Sequence, residues 1–183
     1  MTPADVTQNT LMYFVLPLWL AAGFADYLCH RRADIEHTSG WKESLLHLLQ
    51  FGEMAIPVLA ALFLEINALV IAVMIACFVL HEATALWDVS YAVSTREVTP
   101  LEQHIHSFLE MLPLMAILMV VALHWDQFIA LFGLAPGRFD IALKSPPLNM
   151  TYVFTILALT LLFEILPYLE ELWRGLRAKK VIR

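Results

Sequence analysis

The sequence predicts an all-α integral membrane protein: one helical bundle of about five transmembrane helices, four of them enclosing a metal site at the cytoplasmic side. Three observations lead there. Hydrophobic residues make up 60% of the 183 and charged residues only 15%, where a soluble domain carries about 25% charged. The apolar residues gather in blocks of about 20 or more, enough to cross a hydrocarbon core of about 30 Å. The ionisable residues then recur as carboxylate–histidine pairs near one end of each of four blocks.

Taken in order, residues 1–9 are polar and read as loose. The first span, 10–30, carries Asp26 and His30 at its C-terminal end, followed by a loop with His37. The second, 43–64, begins with Glu43 and His47; Glu53 lies deeper, and Pro57 predicts a kink. A tight connection at residues 65–67 turns the chain back. The third, 68–91, holds His81 and Asp88, seven residues and so close to two full turns apart. A loop with Arg96 follows, and Pro100 suits the first turn of the next helix. The fourth, 101–131, exceeds a minimal span, which predicts tilt or a break near Pro113. A Gly/Pro-rich loop leads to the fifth, 148–169, and a basic tail, WRGLRAKKVIR. The whole chain reads as a single transmembrane domain, 1–183.

Five spans put the termini on opposite sides, and the loop charges choose the orientation. Arg31, Arg32, Lys42, Arg96, Arg174, Arg177, Lys179, Lys180 and Arg183 fall on one side; only Arg138 and Lys144 fall on the other. Nine bases against two predict an inner (cytoplasmic) membrane protein with its N-terminus outside and its C-terminus in the cytoplasm. The first apolar run has no preceding base and no small-residue cleavage pattern, so it reads as a retained span.

Other classes recede. A net charge of −6 gives no nucleic-acid signal. Cys29 and Cys77 sit inside apolar segments without a CxxC, so neither a disulfide framework nor a thiolate metal site is indicated. No internal repeat is visible.

On the expected topology, Asp26 and His30, Glu43 and His47, His81 and Asp88, and Glu102, His104 and His106 all reach one layer, while His124 lies at the opposite surface. One imidazole and one carboxylate per helix, four times over, is the ligand supply of a two-metal centre in a helical bundle. Mixed N and O donors suit iron, manganese or zinc. His104 and His106 point about 200° apart on an ideal helix, so one of them is expected to stand behind the ligands. His37 is a further candidate ligand folding over from its loop. Asp88 and Glu110 are candidates for handling protons; Glu53 and Glu110 are also candidate partners of Gln50 and Arg96. Glu164, deep in the fifth span, is costly to bury and expects a hydrogen-bonding neighbour. Trp87, Phe108, Met111 and Met115 read as packing or lipid-facing residues.

The pattern resembles the integral-membrane histidine-box enzymes: membrane desaturases, hydroxylases and alkane monooxygenases. The likeness covers Asp26–His47 and His81–Glu110. It departs in detail, since no HxxHH run is present and acids are more numerous; Asp26-x-x-x-His30 and the run from Glu102 to His106 are partial analogues. The resemblance implies two non-haem metals, iron foremost, and oxidation of a lipid or alkyl chain by dioxygen with an unidentified electron donor. The alternatives are a b-type haem electron carrier, a metal-dependent lipid hydrolase and a metal or proton transporter. The oligomeric state is left open.

Overall fold

The computed structural model describes residues 1–181, with side chains described as far as Lys179; Lys180 and Arg183 of the basic tail lie outside the described side chains. The chain is all-α, with no strand among the described residues. Five helices are long and apolar enough to cross a membrane: α1 Pro3–Arg32, α2 Trp41–Phe63, α3 Ala68–Thr95, α4 Pro100–Leu123, and α6 Met150–Lys179, with the short α5 Trp125–Ala130 after α4. This is the architecture of a multi-pass membrane protein.

Local chemistry sets the boundaries. The polar N-terminus is helical, because Thr2 and Asp5 form a capping box (Thr2 N–H to Asp5 Oδ2, 2.6 Å; Asp5 N–H to Thr2 Oγ1, 3.2 Å) with Pro3 in the first turn. Gly40, at φ 73°, supplies the left-handed turn that enters α2. Asn67 caps α3 by accepting the Val70 N–H at 3.1 Å. Thr99 and Glu102 form a second capping box, with Pro100 in the first turn of α4. Neither Pro57 nor Pro113 ends its helix. The fourth apolar block instead breaks at His124, whose backbone (φ −127°, ψ 43°) leaves the helical region. α6 runs about ten residues past 169, since LEELWRGLRAKK is rich in helix formers.

α1 and α6 each contain one wide π-helical turn, Leu11–Val15 and Leu161–Ile165. Such turns are rare and frequently mark functional positions.

The helices close into a ring. α1 packs on α4, α4 on α3, α3 on α2, α2 on α6, and α6 back on α1. Val70, Ile71, Met74, Val120 and Val121 seal the α3–α4 seam, and Val15, Ala22 and Leu112 the α1–α4 seam. Large apolar residues such as Leu80, Leu86, Trp87, Leu118 and Phe154 face outward, as expected of a surface that contacts lipid rather than water. Phe108, Met111 and Met115 share that exposure. The loop after α5 folds against the α2–α3 turn: Lys144 N–H donates to Phe63 O (2.8 Å) and Glu65 N–H to Ala142 O (2.9 Å).

Candidate metal centre

Each helix of the ring delivers side chains to one buried layer. α1 brings Asp26 and His30, four residues apart and so on one face. α2 brings Glu43 and His47, α3 brings Asp88, α4 brings Glu102 and His106, and α6 brings Glu171. All eight are buried, with His30 and Glu102 at 0% exposure.

The centre of the layer is a pair of imidazoles. The His30 and His47 rings stack with centroids 4.2 Å apart and planes 8° from parallel. Glu171 bridges them: His30 Nδ1 donates to Oε2 at 3.1 Å and His47 Nδ1 to Oε1 at 2.8 Å. A carboxylate can only accept, so it fixes the proton of each neutral ring on Nδ1 and leaves the Nε2 lone pair free. Those Nε2 atoms face the other acids. His30 Nε2 lies 3.4 Å from Asp26 Oδ2 and 3.5 Å from Glu102 Oε1; His47 Nε2 lies 3.2 Å from Asp88 Oδ2 and 3.9 Å from Glu43 Oε1. His106 Nε2 lies 3.0 Å from Asp26 Oδ1.

These atoms form two adjoining donor groups that share His30: Asp26, His30 and His106, and His30, Glu43 and His47. Within each group the ligand atoms lie within 4.8 Å of one another. Each buried group could hold a metal ion, with His30, which has one free lone pair on Nε2, serving only one of the two. Glu171 behind both imidazoles is the outer support that metal-binding histidines ordinarily have.

The charge of the layer supports the same fit. Five buried carboxylates, Asp26, Glu43, Asp88, Glu102 and Glu171, stand against one cation, Arg96, a formal net of −4 with neutral imidazoles. Buried charge without compensation is costly, and two divalent cations would balance it. His30 Nε2, Asp88 Oδ1 and His106 Nδ1 are buried without a hydrogen-bond partner. The donors are all N and O. Cys29 and Cys77 are buried and free, and neither belongs to the donor groups.

Arg96 comes from the α3–α4 loop and clamps the layer. Its Nη2 contacts Glu43 at 2.5 Å and also reaches Glu102; Nε lies 3.2 Å from both Glu43 oxygens and Nη1 lies 3.1 Å from Glu102 Oε2. Burial opposes its charge, but Glu102 and Glu43 outweigh burial and hold the guanidinium above its ordinary value. From sequence, Glu53 and Glu110 are the expected partners of Gln50 and Arg96. Geometry assigns Arg96 to Glu43 and Glu102, while Glu53 accepts from Thr84 Oγ1 (2.8 Å) and Gln50 donates to Asp88 Oδ2 (3.0 Å).

Of the sequence candidates, Asp26, His30, Glu43, His47, Asp88, Glu102 and His106 come together in this layer. Three histidines do not join it. His37 is exposed and pairs with Asp34 at 2.9 Å. His104 is exposed, edge-on to Phe108 at 5.4 Å, on the far side of α4 from His106 as their 200° separation requires. His81 is buried but lines the cavity beside the layer, and Glu110 lines the same cavity. Glu171 lies beyond residue 169, the expected end of the fifth span, on the part of α6 that continues past it. Glu164, Tyr168 and Glu171 recur at i, i+4 and i+7, and that spacing was the available signal.

The cavity has a volume of about 250 Å³ and is walled by all five long helices. Asp26, His47, Asp88 and His106 form its polar end; Leu16, Trp19, Met54, Leu109 and Ile156 are among its apolar walls. Glu164, on the π-helical turn of α6, also lines it. Its carboxyl packs directly on Gly23, where a Cβ would come within 2.3 Å of Oε2. Tyr168 O–H donates to Gly23 O at 3.1 Å. A second cavity of about 410 Å³ lies toward the opposite membrane face and shares Leu16, Trp19, Met54 and Val58 with the first.

No family model, no curated protein and no solved structure matches this chain.

Proposed function

We propose that the chain is a membrane-bound non-haem di-metal oxidoreductase that hydroxylates or desaturates a lipid or alkyl chain with dioxygen. The observation that carries this reading is the coincidence of a buried imidazole–carboxylate layer with the end of an apolar, helix-walled cavity. Asp26, His30, Glu43, His47, Asp88, Glu102 and His106 are the residues that would hold two metals, iron first and manganese or zinc as alternatives. Iron or manganese, when bound, would supply electrons to activate dioxygen, whereas zinc has no redox chemistry and would suit only the hydrolytic alternative.

The chain's own residues do the rest. Glu171 fixes both central imidazoles in one tautomer and one orientation. Arg96 offsets the charge of Glu43 and Glu102. Gln50 holds one oxygen of Asp88, leaving the unpartnered Oδ1 to accept a proton, and Glu110 stands in the same wall. The apolar wall seats a hydrocarbon segment and keeps water from a reactive centre. In hydroxylation, one oxygen atom enters the C–H bond and the other leaves as water, taking two electrons from a donor and two protons. With the nine-to-two asymmetry of basic residues, the layer is proposed to face the cytoplasm, where a reductant can reach it.

Haem ligation fits less well. Axial histidines point their nitrogens at one iron from opposite sides, whereas the His30 and His47 rings lie face to face at 4.2 Å. The test is a comparison of lipid extracts from cells with and without the protein, grown under oxygen-18 gas. An oxygen-dependent lipid product that disappears in His47→Ala is expected. A product that forms equally without oxygen would overturn the oxidase reading in favour of hydrolysis.

A further inference from the structure

We infer that the hollow of the ring binds a single-chain amphiphile with an anionic head, the head held by Lys144 and His124 at the membrane face opposite the carboxylate–imidazole layer. This rests on the reading of the hollow as a chain site. The two cavities share four wall residues, so they form consecutive sections of one apolar path. Along α2 the path runs from His47 to Leu62, fifteen residues or about 22 Å at the α-helical rise. The acyl chains of one leaflet occupy roughly 15 Å, half of a hydrocarbon core of about 30 Å. Chains in a leaflet are disordered and foreshortened, so the same chain drawn out straight is longer than one leaflet and spans most of the path from the far mouth toward the layer. Both sections are walled by all five long helices, which suits a chain threaded singly.

The far mouth supplies the head site. Lys144 and His124 are half-buried residues in its wall, next to Gln8 and Tyr152. Lys144 makes no ion pair among the described residues. Glu65, whose field reaches it, is engaged by Arg138 Nη1 at 3.4 Å and by the Ser145 N–H at 3.1 Å. Burial pushes the Lys144 ammonium below its ordinary value, and burial followed by the Lys144 charge pushes His124 down. An unpaired ammonium is thus held partly out of water at the opening of an apolar path. A carboxylate or phosphate head would restore its lost solvation, while a cationic head would be repelled. The Tyr152 hydroxyl is already committed to Met12 O at 2.9 Å, which leaves Lys144 and His124 as the groups that read the head.

The test is equilibrium binding to the full chain in nanodiscs, with hexadecanoate, hexadecyl phosphate, hexadecane and hexadecyltrimethylammonium as probes. Both anionic probes are expected to bind more tightly than hexadecane, and the cationic probe more weakly. Lys144→Met keeps the aliphatic stem and the Lys144 N–H bond to Phe63 O; it should weaken both anions by about tenfold, the scale of one charge-assisted contact, without changing hexadecane. Lys144→Arg should recover most of that loss. The tighter of the two anions tells a free fatty acid from a phosphorylated lipid. Ala61→Trp, in the wall of the second section, should block every probe. Equal binding of anionic and cationic probes, or unchanged hexadecanoate binding in Lys144→Met, overturns the head site alone. Failure of the uncharged chain to bind the wild-type protein overturns the chain-binding hollow itself.

Discussion

Replacing Glu171 by Gln tests the centre through a residue outside the proposed ligands. The carboxylate is 1% exposed and serves two rings at once, at 3.1 and 2.8 Å. Glutamine keeps the volume but offers one acceptor oxygen and one NH2. That NH2 must face one of the two imidazoles. The facing ring either meets a donor with a donor or moves its proton to Nε2, which removes the lone pair aimed at the acids. One imidazole is then lost as a ligand, and the other keeps only a neutral hydrogen bond. Loss of an outer partner typically costs 10–100-fold in metal affinity, or about 1.4–2.7 kcal/mol. Because two rings depend on this one group, a loss of about 100-fold, the upper end, is expected.

The measurement is competition between detergent-purified protein and a calibrated chelator for zinc or cobalt, with circular dichroism as the check on helix content. Glu170→Gln removes the same formal charge one residue away, where the carboxyl pairs with Tyr27, Arg31 and Arg174, and should change affinity little. Affinity within about threefold of wild type in Glu171→Gln, with the helices intact, would refute the assignment of Glu171 as the support of both imidazoles.

Four further outcomes are expected. Arg96→Met leaves Glu43 and Glu102 uncompensated and should destabilise the fold by about 3–5 kcal/mol, with Arg96→Lys a poor rescue because the guanidinium contacts both acids; thermal unfolding in detergent reads this, and an unchanged midpoint would contradict it. Gly23→Ala should cost about 1 kcal/mol, the low end of overpacking, because the atoms it meets are the far end of Glu164; the cost should vanish in the double variant with Glu164→Ala. His37 is raised above its ordinary value, first by its hydrogen bond to Asp34 and then by that residue's charge. This favours the charged ring, so the contribution is full below about 6.5 and lost as pH rises through the raised value; an NMR titration should find the midpoint lowered in Asp34→Asn. Reporter fusions after Lys144 and after Arg183 should report opposite sides of the membrane, and a cytoplasmic signal at Lys144 would reverse the orientation read from the basic residues.

The architecture was legible because hydrophobic block length is a strong, local signal, and a membrane leaves helices as almost the sole solution. Seven of the eight polar residues in the layer were legible for a similar reason. An acid and an imidazole four apart share a face whatever the tertiary contacts, as Asp26 with His30 and Glu43 with His47 show. Ring closure is the long-range fact that local spacing does not carry. It decides that α6, not merely α1 to α4, contributes to the layer through Glu171. It also decides that Arg96, from a loop, ends between Glu43 and Glu102 rather than beside deeper acids. His81 illustrates the limit from the other side: it shares a helical face with Asp88, yet two turns of rise place it about 10 Å further along the helix, in the wall of the cavity. A same-face rule fixes direction around a helix but not depth along it, and depth is what separates a group in the layer from one that lines the path toward it.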